Sequence, residues 1–332
     1  MTSSSPHISI IIACRSVDED TLRCIEGCRQ QDYPSFEILV LPDGEGSLHG
    51  EKVVCMPTGP VKPSVKRNIA IARAAGEILA FIDADAYPEK HWLSNAARCL
   101  ASDTAIAGVT GPNLTPSEDS FMQKAGGDVL CSPVALGQLS RRYQLSETDF
   151  QTEDVMSCNF IVVRDVAKKL SGFDEALLTG EDYKLGVEIV AMGRTIIYSS
   201  SVCVYHHRRP LFLPHLRQIW NYGRDKGILM HEIFSAGKLL YFAPTAFTAW
   251  VVAGAAALPW TGAALALPYC ASLVCYLSIV LAASLRSEDK RRVPYVFCGI
   301  CATHFTYGIA FLRGLFTAKK SGPLIAFPGS TP

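Results

Sequence analysis

Short apolar runs alternate with polar, helix-patterned stretches along the first 205 residues, and this alternation predicts a mostly parallel sheet covered by helices. Strands are predicted over 8–13, 36–41, 52–55, 78–82, 105–110, 159–163 and 202–205, and helices beginning near Asp18, Ser64, Glu89 and Glu181. In the second helix Val65, Ile69 and Ala72 recur at helical spacing, with Ser64 a candidate N-cap and Pro63 marking the boundary. Between 210 and 231 the pattern changes. Leu213, Leu216 and Trp220 line one helical side while Arg208, Arg209, Arg217, Arg224 and Lys226 are interspersed, the pattern of a helix lying flat on a membrane surface. From Leu239 through Leu285 no residue is charged, a run of 47. A spanning helix needs about 20 apolar residues, so two spans fit, with a turn near Pro259-Trp260-Thr261-Gly262. A second uncharged run, 293–312, is long enough for a third, with His304 in its middle.

The division expected is therefore a catalytic part over 1–207, an amphipathic segment over 208–236, and a membrane part over 237–332 with segments at about 239–258, 263–285 and 293–316. Charge follows the same division. The 332 residues are neutral overall, but the chain is net −5 up to Lys238 and net +5 beyond it. Without a basic excess, nucleic acid is not an expected partner; at 49% hydrophobic the chain is also too apolar for a disordered one. The apolar stretch 8–14 is too short for a signal peptide, so the catalytic part is expected to face the cytoplasm from a multi-pass chain in the plasma (inner) membrane. The basic loop 286–292 returning to that side agrees. A full third span would push Lys319 and Lys320 outside, a conflict that a re-entrant or interfacial segment removes. The twelve cysteines show no close-spaced pattern, which argues against a disulfide framework, and Cys298 and Cys301 read as packing residues.

In open α/β sheets ligands sit beyond the carboxyl ends of the strands. Four junctions stand out: Cys14-Arg15 after the first strand, Pro42-Asp43-Gly44 after the second, Asp83-Ala84-Asp85 after the fourth, and Gly180-Glu181-Asp182 opening a helix. Two carboxylates one residue apart at a strand end can reach one hard cation, and Mg²⁺ or Mn²⁺ is the chemical match. Taken alone, Asp-x-Asp also occurs as a helix cap or turn.

With Lys66-Arg67-Asn68, Ser157-Cys158-Asn159, Gly172-Phe173-Asp174-Glu175, His206 and Tyr222-Gly223-Arg224 added in this order, the chain over roughly 6–230 resembles family 2 glycosyltransferases, inverting nucleotide-sugar enzymes of the GT-A fold. It is similar to membrane-anchored bacterial exopolysaccharide enzymes of the succinoglycan type. The resemblance implies that Arg15, Asp43 and Asp83 contact the nucleotide, that Lys66 and Arg67 lie near the diphosphate, and that Asp83, Asp85 and His206 hold the metal, Mn or Mg. It assigns the general base to Asp182 with Glu181 in support, and places Asn159, Trp220 and Arg224 on the acceptor or membrane side. Helix-start placement suits the two acids, because the dipole favours negative charge there. The same placement is found in ordinary helices, and an ordinary solvated helix face is the alternative for Lys66 and Arg67. Arg141-Arg142 reads as a solvated loop, with a mobile lid as the alternative. One departure is that Pro42-Asp43-Gly44-Glu45 keeps only one of two acidic positions usual in the family. A second is that Gln218 is not followed by the Arg-Trp of processive synthases, which disfavours long-chain synthesis.

The implied activity is transfer of one sugar from a nucleotide-diphosphate donor, UDP-sugar favoured, to a lipid-linked polyprenyl acceptor in cell-surface polysaccharide or glycolipid synthesis, with other assembly proteins as possible partners. The alternatives are a polyprenyl-phosphate sugar synthase, a nucleotidyltransferase and a non-catalytic membrane scaffold. The nucleotidyltransferase lacks its glycine-rich loop here, since Cys14-Arg15-Ser16-Val17-Asp18 has no glycine.

Overall fold

The computed structural model describes residues 5–45, 48 and 50–317. Its strands are β1 (Ile8–Ala13), β2 (Phe36–Leu41), β3 (Val53–Cys55), β4 (Ile78–Asp83), β5 (Ala86–Pro88), β6 (Ile106–Thr110), β7 (Asn113–Leu114), β8 (Phe150–Gln151), β9 (Phe160–Val163), β10 (Thr195–Tyr198) and β11 (Val204–His206). Its helices are α1 (Glu19–Arg29), α2 (Pro63–Arg73), α3 (Trp92–Ser102), α4 (Phe121–Cys131), α5 (Pro133–Leu136), α6 (Arg164–Lys169), α7 (Glu181–Ala191), α8 (Leu213–Ile233), α9 (Ala243–Ala257), α10 (Ala263–Ser284) and α11 (Val293–Thr317). The chain divides into two units, one up to Ser117 together with Arg141–His207, the other Glu118–Ser140 together with the chain from Arg208.

The first unit is built on a sheet of order β3-β2-β1-β4-β9-β6-β10-β8, with a small second sheet β5-β11-β7. β3, β2, β1 and β4 run parallel, as do β6 and β10, while β9 enters antiparallel between β4 and β6. Successive side chains of β1 enter different cores: Ile8, Ile10 and Ile12 pack on one face, Ile11 with Leu39, Leu79 and Phe81 on the other. Burial on both faces explains why these strands read as unbroken apolar runs. β10 escapes the sequence reading although Thr195-Ile196-Ile197-Tyr198 is β-branched, because it follows α7 after a short turn at Gly193 with φ +82°.

β1, β2 and β4 end in register, Ala13 opposite both Leu41 and Asp83. The carboxyl-end junctions of these three strands therefore share one edge. Because β9 is antiparallel, with Phe160 opposite Phe81, its amino end and the preceding Ser157-Cys158-Asn159 arrive at that same edge.

The second unit departs from the expected division, because residues 118–140 fold into it. α4 carries Ala125 and Val129 into a core with Leu211, Val280 and Ile300. α8 does not lie as an isolated surface helix: its His215, Ile219, Gly223 and Gly227 are buried, and its glycines meet α11. Three helical stretches, Ala236–Trp260, Ala263–Ser284 and Lys290–Thr317, are long and apolar enough to cross a membrane. The expected turn falls between the first two, at Thr261-Gly262. Lys319 and Lys320 lie outside the described residues.

Candidate active site

β4 ends in Asp83, the chain turns through Ala84-Asp85, and β5 pairs antiparallel with β11 so that Ala86 stands opposite His206. That register brings the imidazole to Asp85, with Nε2 3.0 Å from Oδ1. Ligand atoms of Asp83, Asp85 and His206 all lie within 4.8 Å of one another, and all three side chains are partly exposed. Two carboxylates and an imidazole are a fitting donor set for Mn²⁺ or Mg²⁺. Burial disfavours the charged imidazole, but the adjacent Asp85 outweighs it and pushes His206 up to about 10. His207 turns away, its ring 6.0 Å from that of Tyr87.

The second acidic pair opens α7, after Gly180 at φ +79°. Asp182 accepts two backbone N–H groups, from Ser157 at 2.9 Å and from Tyr183 at 2.7 Å, which fixes the direction of its carboxylate. The Ser157 contact exists because β9 delivers that segment to the site edge. Glu181 is buried; burial and the neighbouring Asp182 raise its carboxyl to about 7, against the opposing pull of Arg67.

Arg67 joins the two pairs. Its Nη1 donates to Glu181 Oε1 at 2.8 Å and its Nη2 to Asp83 Oδ1 at 2.9 Å, with the guanidinium 5.5 Å from the Phe173 ring. Phe173 is held in turn by Asn68, which donates to its carbonyl and accepts from its N–H, both at 2.8 Å. Gly172, at φ +75°, precedes it, and a Cβ there would collide with the Asn68 carboxamide.

Several positions differ from their expected surroundings. Lys66 and Arg67 are not a solvated helix face. Both are buried, and Lys66 Nζ donates to Asp43 Oδ1 and Cys14 O, each at 2.5 Å, and to Leu41 O at 3.1 Å. All three ammonium protons are thereby spent tying the ends of β1 and β2 to Asp43. Ser64 does not cap α2. Pro63 opens that helix with Lys62 at the N-cap, and Lys62 Nζ reaches Glu175 O at 2.8 Å and Ala176 O at 3.2 Å. Asn159 does not line an acceptor surface: it is fully buried, accepts from the Trp92 indole at 2.8 Å and donates to Val202 O at 2.8 Å and Pro112 O at 3.1 Å. Arg15 is exposed beyond β1, its carbonyl accepting from Asp43 N at 3.0 Å.

Trp220 and Arg224 belong to the second unit, on α8, where Arg224 Nε donates to Asp225 Oδ1 at 2.6 Å. Arg142 is not in a solvated loop. It pairs two-pronged with Asp154, near enough to Asp182 for their charges to interact. Sequence reasoning missed this pair and the Ser157 N–H. The first joins residues twelve positions apart without a pattern, and the second is a backbone group that any residue type supplies.

Against this geometry, the chain belongs to the glycosyltransferase like family 2, whose family model matches residues 6–219. It is a glycosyltransferase with the GT-A fold. It is 23% identical over 223 residues to glycosyltransferase AglE of Haloferax volcanii, covering 63% of this chain and 70% of that one. It is 22% identical over 244 residues to a dolichyl N-acetyl-α-D-glucosaminyl phosphate 3-β-D-2,3-diacetamido-2,3-dideoxy-β-D-glucuronosyltransferase of Methanococcus voltae, covering 68% and 74%. Among solved structures, it resembles the mannosyltransferase PcManGT from Pyrobaculum calidifontis, in complex with GDP-Man and Mn²⁺. The TM-score is 0.66 at 17% identity, over 95% of this chain and 88% of that one.

Proposed function

We propose that the protein transfers one sugar, with inversion, from a nucleotide-diphosphate donor, UDP-sugar favoured, to a hydroxyl of a polyprenyl-linked acceptor. The observation that carries this reading is the meeting of Asp83, Asp85 and His206 within 4.8 Å at the edge where Asp182 is held by two backbone N–H groups. Asp83, Asp85 and His206 would hold a divalent ion, which would supply charge neutralisation for the departing diphosphate. Asp43, braced by Lys66, takes the nucleoside side with Arg15. Asp182 accepts the proton of the acceptor hydroxyl as its oxygen bonds to the anomeric carbon and the donor's carbon–oxygen bond to diphosphate breaks on the opposite face. Glu181 and Arg67 hold the start of α7 in place for that step.

The lipid-linked acceptor is supported by the dolichyl-linked substrate for which the Methanococcus voltae relative is named and by the three long apolar helices. With them go a multi-pass placement in the inner membrane and a catalytic unit facing the cytoplasm. The functional division then follows the fold: a catalytic unit, and a second unit carrying Trp220 and Arg224 toward the membrane and acceptor. A hydroxyl acceptor is favoured over polyprenyl phosphate itself because the fixed Asp182 carboxylate serves a nucleophile that must lose a proton.

Thermal stabilisation of the full-length protein by UDP, GDP and CMP, each with and without Mn²⁺, tests the donor class alongside Asp85→Ala. Stabilisation by one nucleotide that requires both metal and Asp85 is expected. Equal stabilisation of the variant would remove the metal assignment, and no response from a folded sample would remove the donor reading.

A further inference from the structure

α8 and α11 run parallel and in register along the second unit. His215 Nε2 lies 3.0 Å from Thr303 Oγ1 near one end of α8, and His231 Nε2 lies 2.9 Å from Leu315 O near the other. Between these contacts the two backbones touch: a Cβ on Gly227 would run into the Phe311 carbonyl, and one on Gly314 into the Arg224 carbonyl. Small residues on both helices permit this approach, and it leaves no room for lipid between them. Wherever α8 lies, α11 therefore lies too.

α8 cannot enter hydrocarbon. It carries exposed Arg217 and His231 and half-buried Gln218, Asn221 and Arg224, and a bilayer interior penalises such side chains heavily. α11 differs accordingly from the other two apolar helices. In its most apolar window 44% of residues are buried in protein, against 6% in each of the others. His304, the polar residue in its centre, has both ring nitrogens engaged, one 2.9 Å from the Tyr276 hydroxyl of α10 and one 2.8 Å from the Val134 carbonyl. α11 is thus covered by polypeptide to a far greater extent than α9 and α10, which present their apolar surface outward.

We infer that the described residues cross the bilayer twice, through the α9–α10 hairpin, and that α11 packs with α8 on the side from which the hairpin enters. The partner of the exposed α9 and α10 surface is lipid, and the Thr317 end of the chain returns to the side of α8. The basic loop 286–292 then lies on that same side, as the charge bias of membrane proteins requires.

Reporter fusions to the full chain in bacterial cells test this: green fluorescent protein, bright only in the cytoplasm, or alkaline phosphatase, active only outside it. Each is placed before residue 1, between Trp260 and Thr261, or after residue 332. The expected result puts both ends on one side and the 260–261 insertion on the other. Ends on opposite sides would overturn the inference, and all three on one side would overturn the crossing hairpin. The pairing is read separately in micelles. Gly227→Leu should lower the thermal midpoint by on the order of 5 °C, whereas Gly262→Leu, with nothing near its Cβ position, should not. Equal behaviour of the two variants would overturn the α8–α11 argument.

Discussion

The site edge carries two acidic pairs, and their spacing separates what they can do. Asp83 and Asp85 flank one residue at a strand end, both partly exposed, and together with His206 their ligand atoms converge on a single point. Glu181 and Asp182 are adjacent in the first turn of α7, so their side chains diverge: one is buried against Arg67, the other directed by the backbone N–H groups of Ser157 and Tyr183. Convergent carboxylates suit a shared cation. Divergent ones suit a division in which one group meets substrate and the other holds the helix start in place.

Breaking the convergent pair has the largest expected effect. Asp85→Ala removes a proposed metal ligand and leaves His206 without the carboxylate 3.0 Å away. Metal-dependent stabilisation by nucleotide should vanish and transfer fall to background, as read by thermal shift and by release of nucleoside diphosphate. Retention of either at wild-type level would show that convergence has no ligand to serve.

Breaking the divergent pair should separate binding from chemistry. Asp182→Asn keeps the shape and one of the two backbone N–H contacts but cannot take a proton, so kcat should fall about 10²–10⁴-fold with metal and nucleotide binding retained. Comparable loss of nucleotide binding would show that the two pairs act as one.

Arg67 sharpens the comparison because its fork spans both pairs. Removing one partner from a buried ion pair costs about 3–5 kcal/mol, and Arg67→Met strands Glu181 and Asp83 together. Expected are a lowered denaturation midpoint and losses in both nucleotide affinity and kcat. Arg67→Lys should recover stability in part while leaving kcat low, since an ammonium is a point charge and cannot reproduce the planar fork across the two carboxylates. Full recovery by lysine would reduce Arg67 to a source of charge.

What the sequence disclosed of this arrangement follows from which interactions leave a local signature. β1, β2 and β4 are buried on both faces, so their apolar runs are continuous and their ends are marked by the first polar residue, Asp83 among them. Asp85 and His206 could be singled out by type, but their meeting depends on the β5–β11 register, 121 residues apart in the chain. Lys66 and Arg67 were recognisable as basic residues at a helix start. That each is buried and ion-paired is a tertiary fact, set by Asp43, Cys14 and Leu41 for one and by Glu181 and Asp83 for the other. Asn159 looked like a surface polar residue because nothing local announces that Trp92, Pro112 and Val202 surround it. The segment 118–140 was assigned by its position between strands, whereas Ala125 and Val129 pack on Leu211 and Ile300, far along the chain.

The smallest expected effect lies in how Glu181 pays for its burial. In the folded protein its carboxyl is raised from 4.5 to about 7, first by burial and then by Asp182. Below pH 4.5 the folded and unfolded chains both hold the proton, and the residue's stabilising contribution is fully present. As pH rises through 7 the unfolded chain has already released the proton that the folded one must surrender at a cost, so the contribution is lost, to the extent of about 3 kcal/mol. Glu181→Gln keeps a hydrogen-bond acceptor for Arg67 and has nothing to ionise. Its denaturation midpoint in micelles should therefore gain on that of the wild type between pH 5 and pH 8, and nucleotide binding should change little. A wild type that gains on the variant over this interval would mean that Arg67, rather than burial and Asp182, dominates the carboxyl. Glu181 would then be an anion throughout this interval, and the divergent pair would carry two charges below pH 7, where the present account gives it one.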